Sequence, residues 1–144
     1  MKVRDIMTKD LTSCEKDVSI RELIFILDSA GAPNMPIVDE EDKVIGFISE
    51  KDIIRACLPG YFDMLHTASF IPDMNQISKK LEQISGDPIE KYMQKDMIVV
   101  TEDDDDLQAA EVIIRKNIKL LPVIDKNGRL VGQVKRIDLL RHLL

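Results

Sequence analysis

The chain has 144 residues, is 44% apolar and carries a formal charge of −6. The apolar share excludes a disordered chain, and the acidic balance disfavours general nucleic-acid binding while leaving room for a local basic pocket that takes one small anion. No signal peptide opens the chain, no apolar run approaches membrane-spanning length, and Cys14 and Cys57 form no CxxC pair, so a cytoplasmic protein with ordinary reduced thiols is expected.

In chain order, residues 2–10 predict a short helical turn leading into a strand, and residues 11–14 are strand-like. Ser19-Ile20-Arg21-Glu22 is a capping-box pattern. Ile20, Leu23, Ile24 and Leu27 follow on one helical face, and Gly31 offers a left-handed stop. Two short strands, residues 36–39 and 44–48, flank a turn, and a helix is expected over 50–58. Pro59-Gly60 breaks it. Tyr61, Phe62, Met64, Leu65, Phe70 and Ile71 are too apolar for a flexible linker, and Asp73 can cap a helix that places Met74, Ile77, Leu81 and Ile84 on one face before Gly86. That helix reads as extra core cover or as a partner surface, and apolar helical stripes favour core.

Asp87-Pro88-Ile89-Glu90 reads as an N-cap, a proline at the first helical position and a Glu three residues after the cap. Residues 97–100 are strand-like. The run Asp103-Asp104-Asp105-Asp106 lacks the alternating ligands and glycine of a calcium loop and suits the start of a helix. Asp106, Leu107, Ala110, Ile113 and Ile114 then form a helical pattern ended by Asn117. Residues 122–124 and 130–134 flank Asn127-Gly128, a hairpin signal, and a last helix runs over 136–144. His66 and His142 have no partner at ligand spacing.

The chain repeats itself. Met35-Pro36-Ile37-Val38-Asp39, Val44-Ile45-Gly46 and Asp52-Ile53-Ile54 return as Leu121-Pro122-Val123-Ile124-Asp125, Leu130-Val131-Gly132 and Asp138-Leu139-Leu140. Pro36 and Pro122, Gly46 and Gly132, Asp52 and Asp138 are each 86 residues apart, as are Met7 and Met93 in the lead-in segments. Over the first helix the interval is read as 87, from Ile20 to Leu107. Each copy reads strand, helix, strand, strand, helix, and neither is long enough for a comfortable private core, so the copies are expected to pack on each other. The division is 1–58, an insert at 59–88, and 89–144.

This doubled pattern resembles the CBS domain, and two copies in register resemble the CBS pair or Bateman module. The insert also looks like one in stand-alone bacterial CBS-pair proteins. The resemblance implies an α/β (α+β) fold of two βαββα repeats, joined sheet to sheet about a pseudo-twofold axis with two equivalent clefts between them. It implies a regulatory module that catalyses nothing, requires no cofactor, and binds AMP, ADP, ATP, S-adenosylmethionine, NAD or cyclic dinucleotides. It also implies a homodimer; the regulated partner is not named by these residues.

The chemistry of such a cleft selects residues. A carboxylate accepts from vicinal ribose hydroxyls, and a helix N-terminus suits a phosphate. Asp52 and Asp138 begin the closing helices, and Ser49 stands three residues before Asp52, as in the family's Ser/Thr-x-x-Asp. Asp52 alone could be a plain helix-start carboxylate; with Ser49 and the repeat beside it, ligand binding is favoured. Lys135 replaces the hydroxyl in the second copy, followed by Arg136, so Lys135 either reads a phosphate or is solvated. The resemblance adds residues of the opposite repeat. For the Asp52 cleft these are Lys119 and Leu120, with Met97, Ile98 and Val99 against an adenine. For the Asp138 cleft they are Pro33 and Asn34, with Leu11, Thr12 and Ser13. The rival reading is a ligand-free structural or dimerisation module.

Overall fold

A computed structural model describes residues 1–58 and 74–144. The expected break at Pro59, the apolar residues at 61–71 and the Asp73 cap fall outside them. The first half holds α1 (Val3–Ile6), α2 (Ile20–Ala30), β1 (Asn34–Val38), β2 (Val44–Ser49) and α3 (Glu50–Cys57). Then come α4 (Met74–Ile84) and a 3-10 turn (Ile89–Lys91). The second half holds β3 (Val100–Thr101), α5 (Asp106–Lys116), β4 (Leu120–Ile124), β5 (Leu130–Lys135) and α6 (Arg136–Leu143).

Local chemistry sets these bounds. The Ser19 hydroxyl accepts from the Glu22 amide at 3.1 Å and opens α2, and Gly31 closes it at φ 62°. In α5 the Gln108 side chain accepts from the Asp105 amide at 3.0 Å, and Asn117 takes the left-handed stop at φ 51°. Ser19 matches Asp105 and Gly31 matches Asn117, so the interval stays at 86 through this helix and the expected shift to 87 is corrected. The buried face of α5 is Ala109 and Ile113, the counterparts of Leu23 and Leu27. Leu107 and Ile114 are 77% and 78% exposed. Their helical spacing is sound, but the rotation that buries the cap-defined face turns them outward.

Each hairpin turn is tied by the aspartate that follows its apolar run. Asp39 accepts from the Glu41 and Lys43 amides at 2.9 and 3.0 Å. Asp125 accepts from the Asn127 and Arg129 amides at 2.8 and 3.0 Å. β1 and β2 pair antiparallel from Asn34 with Ser49, and β4 and β5 from Leu120 with Lys135. β3 pairs parallel to β4, Val100 with Val123. In the first repeat the same place holds a single parallel bridge, Cys14 with Ile37. The strands expected at 11–14 and 97–100 thus reduce to that bridge and to Val100–Thr101. Pro88, not Asp87, caps the 3-10 turn, and the Asp87 carboxylate accepts from the Tyr92 hydroxyl at 2.6 Å.

The repeats exchange their lead-in segments. Val3 and Ile6 of α1 are buried with Val100, Ile113, Leu121 and Val134 of the second repeat. Ile89 is buried with Ile20, Leu23, Ile37 and Ile48 of the first. Thr8 pairs with Gln133 and Gln94 with Phe47, extending each sheet with a residue of the other repeat's lead-in. The motif glycines stand at these crossings. A Cβ on Gly46 would strike the Gln94 carbonyl, and one on Gly132 the Thr8 carbonyl. The hairpins also meet end to end, Val44 N–H to the Gly128 carbonyl and Leu130 N–H to the Asp42 carbonyl, each at 3.0 Å. Val38, Val44 and Leu130 form a small core there.

The acidic run docks the N-terminus. Asp103 pairs with Arg4, Asp106 lies 3.6 Å from the terminal ammonium, and Asp104 accepts from the Thr101 amide at 2.9 Å. Ile84 of α4 is buried in the first core with Ile77 and Leu81 packed against it, so this helix is core cover. Among the described residues, no helix is long and apolar enough to cross a membrane.

Candidate functional site

Two clefts flank the line where the repeats meet. The first is about 400 Å³ and is lined from one repeat by Phe47, Ser49, Glu50 and Lys51, and from the other by Gln94, Asp96, Ile98, Lys116, Asn117, Ile118 and Lys119. The second is about 370 Å³ and is lined by Gln133, Lys135, Arg136 and Ile137, with Asp10, Thr12, Ala30, Gly31, Ala32 and Pro33 opposite. Shifting the first set by 86 gives the second almost residue for residue. Thus Phe47 becomes Gln133, Ser49 becomes Lys135, Glu50 becomes Arg136, Asp96 becomes Asp10 and Ile98 becomes Thr12. The equivalence is geometric, and the chemistry differs. The first cleft sets Phe47 and Ile98 where the second sets an amide and a hydroxyl.

The aspartates stand behind the walls. Asp52 is buried; its Oδ2 accepts from the Ser49 amide at 2.8 Å and the Ser49 hydroxyl at 3.0 Å. Its Oδ1 accepts from Gln94 Nε2 at 2.9 Å, with Arg55 at 3.8 Å. Gln94 lines the cleft and therefore stands between Asp52 and its contents. Asp138 is also buried, and its Oδ2 accepts from the Lys135 amide at 2.8 Å. Thr8 replaces Gln94 and donates instead to the Gln133 carbonyl at 3.3 Å. Asp138 Oδ1 lies 3.1 Å from the Arg141 guanidinium yet has no hydrogen bond of sound geometry among the described residues.

A carboxylate that does reach a cleft is Asp10. Its Oδ1 accepts from the Thr12 hydroxyl and amide at 2.5 and 2.9 Å, and its Oδ2 from Gln133 Nε2 at 3.0 Å. The Thr12 bonds, with the Lys135 charge nearby, hold its carboxyl below the usual range. Asn34 is buried between the clefts and donates to the Leu120 carbonyl at 3.3 Å. Cys14 and Cys57 are buried free thiols, and burial pushes both up in pKa.

Of the expected residues, the first cleft gathers Ser49, Ile98, Lys119 and Asn34, and the second gathers Thr12, Asn34, Lys119, Leu120 and Lys135. Leu120 lines the second cleft and not the first. Val99 packs on the small inter-repeat core, and Met97 is exposed. Gln94, Asp10, Gln133, Lys116 and Arg136 were not among the expected site residues. The interval of 86 is the signal that could have found Asp10, because Asp96 repeats it. Gln94 and Gln133 appear only once the lead-ins are seen to cross.

The family model of the CBS domain matches residues 3–59 and 89–144. An uncharacterised 17.7 kDa protein of Acidianus ambivalens is 29% identical over 99% of this chain and 73% of its own length. The A-adding tRNA nucleotidyltransferase of Aquifex aeolicus is 28% identical over 98% of this chain, which spans 14% of that enzyme. Among solved structures, protein MJ1225 of Methanocaldococcus jannaschii superposes with a TM-score of 0.80 at 22% identity, over 99% of this chain and 48% of that one. The CBS-pair protein CBSX2 of Arabidopsis thaliana gives 0.79 at 21% identity over 99% and 93%, and CBSX2 has been solved with AMP. The CBS domain pair of protein MJ0100, solved with 5′-methylthioadenosine and S-adenosyl-L-methionine, gives 0.69 at 28% identity over 99% and 95%. The doubled motif, the crossed lead-ins and the double match of the family model lead to one assignment: this chain belongs to the CBS domain family, as a tandem pair.

Proposed function

We propose that this chain is a regulatory, ligand-sensing module that binds an adenosyl nucleotide in the clefts between its repeats and is not itself a catalyst. The observation that carries the reading is the pair of matched clefts, each built from both repeats, so that an occupant touches both halves at once. The AMP complex of CBSX2 and the 5′-methylthioadenosine and S-adenosylmethionine complex of MJ0100 support the adenosyl class. AMP, ADP, ATP, S-adenosylmethionine and NAD are the candidate ligands.

In the first cleft, Phe47 and Ile98 wall the adenine, and Ser49 and Lys119 face phosphate. Asp52 exchanges the Gln94 amide for ribose hydroxyls, a swap of one donor for another that leaves its carboxylate satisfied. In the second cleft, Thr12, Asn34 and Leu120 form the wall and Lys135 supplies a point charge in place of the Ser49 hydroxyl, while Asp138 stands buried behind them with its Oδ1 left to accept from a ribose hydroxyl. Ligand binding stabilises the arrangement in which the repeats close on it, and that difference in affinity is the signal. A cytoplasmic setting accords with free thiols and a nucleotide ligand.

Calorimetric titration of AMP into the wild type and into Asp52→Asn tests the assignment. Loss of a charged acceptor for ribose hydroxyls predicts about tenfold weaker binding at the first cleft or more. Unchanged affinity removes Asp52 from the site.

A second reading has its own observation. Phe25, Leu107 and Ile114 are 72%, 77% and 78% exposed on α2 and α5, and Ile54 and Leu140 are exposed on α3 and α6. These helices suit a homodimer interface, with the module acting by association alone. Tight self-association by sedimentation, with thermal stability indifferent to every adenosyl compound, would favour it.

A further inference from the structure

The two clefts share a wall. Pro33, Asn34, Lys119 and Arg136 line both. Asn34 and Leu120, partners across the 86-residue interval, are buried and hydrogen-bonded at its centre.

The wall is charged from one side. The counterparts of Lys119 and Arg136 in the first repeat are Pro33 and Glu50, a residue without charge and one of opposite sign. Arg136 is fixed in place. Its Nε donates to the Ile118 carbonyl at 3.1 Å and its Nη2 to the Asn117 side-chain oxygen at 3.2 Å. Asn117 holds that oxygen there because it is the left-handed stop of α5. These bonds use two of five guanidinium donors, so the charge stays at the wall while other donors remain for a ligand.

We infer that the two clefts compete for one pair of cations, Lys119 and Arg136, so that phosphate-bearing nucleotides fill them antagonistically while uncharged adenosine fills them independently. The inference rests on the reading above that adenosyl compounds enter the clefts, and it names what sorts them. Two anions drawn to the same cations share one attraction and repel each other across a thin wall, a penalty that a neutral nucleoside does not meet. A module holding one ADP or ATP then accepts an adenosyl compound without phosphate more readily than a second nucleotide.

Calorimetric titration of the full chain with adenosine and with ADP tests this. Ile98→Trp blocks the first cleft and Thr12→Trp the second, so that the two variants give single-cleft dissociation constants. For ADP, the product of the two stepwise constants in the wild type should exceed the product of the single-cleft constants by about tenfold or more. For adenosine the two products should agree. Lys119→Gln, an exposed position, carried alone and with each blocking substitution, should shrink the ADP excess. Equal products for ADP, or an ADP excess that adenosine shares, overturns the inference while leaving nucleotide binding intact. No binding of either compound overturns the reading beneath it as well.

Discussion

Tyr92 and Asp87 show how one hydrogen bond works at the residue scale. The bond to Asp87 is the main cause that pushes the Tyr92 hydroxyl up to about 12, and the same bond holds the Asp87 carboxyl below its usual range. The folded state keeps the Tyr92 proton above pH 10, where the unfolded chain has lost it. Its contribution to stability is therefore full below about pH 10 and is lost as pH rises through about 12. The Asp87 contribution runs the other way, present above about pH 4 and lost as pH falls through its depressed value. Denaturant melts of Tyr92→Phe across pH 8–12 should lose this alkaline slope, and an unchanged slope would show that the bond does not form. Asp138 provides a second test. Asp138→Ala leaves the Lys135 amide at the start of α6 without its acceptor and should cost about 1–3 kcal/mol by urea denaturation. The motif aspartates were legible from sequence, because a capping carboxylate and a repeat both leave a pattern. Gln94, the partner of Asp52, was not, because it reaches that carboxylate from 42 residues away through a tertiary crossing.

At the scale of elements, the periodicity of α2 placed Ile20, Leu23 and Leu27 on its buried face, with Ile24 left exposed, whereas that of α5 brought only Ile113 to the buried face. Leu107 and Ile114 kept the right spacing on the wrong side, whereas the caps Asp105 and Asn117 fixed the true register. Caps constrain rotation where a stripe of mixed apolar residues does not. The motif glycines belong to this scale too. Gly46→Ala and Gly132→Ala each press a methyl onto a crossing carbonyl and should cost about 1–3 kcal/mol. Gly86→Ala meets open space and should be neutral or slightly stabilising. A flat result for all three in urea melts would mean that the lead-ins do not lie against the motif glycines.

The whole molecule is two repeats, each of which finishes the other's core. Removal of residues 1–7 takes Val3 and Ile6 out of the second core, a loss of about 3–6 kcal/mol at roughly 1.5–3 per buried side chain. Against a typical total of about 5–15 kcal/mol this is a large fraction. Hydrogen exchange in that truncation should speed up at Leu121, Val123 and Val134 of the distant repeat before it does at Ile37 and Ile48 of the adjoining one. The reverse order would place α1 on its own repeat. The fold class and the pairing of repeats were open to sequence reading because a repeat at one interval is a global pattern. The exchange of lead-ins was not, because nothing in the local periodicity of residues 2–8 says which core receives them.

Binding of adenosyl compounds between the repeats is tested by a thermal melt of the purified, ligand-free chain against AMP, ADP, ATP, S-adenosylmethionine and NAD. A compound present at a hundred times its dissociation constant stabilises by about 2.7 kcal/mol, enough to raise the melting temperature by several degrees. A concentration-dependent rise is expected with at least one of the five, reduced in Asp52→Asn. A melting temperature that none of them moves would contradict it and leave association through the exposed faces of α2 and α5 as the module's work.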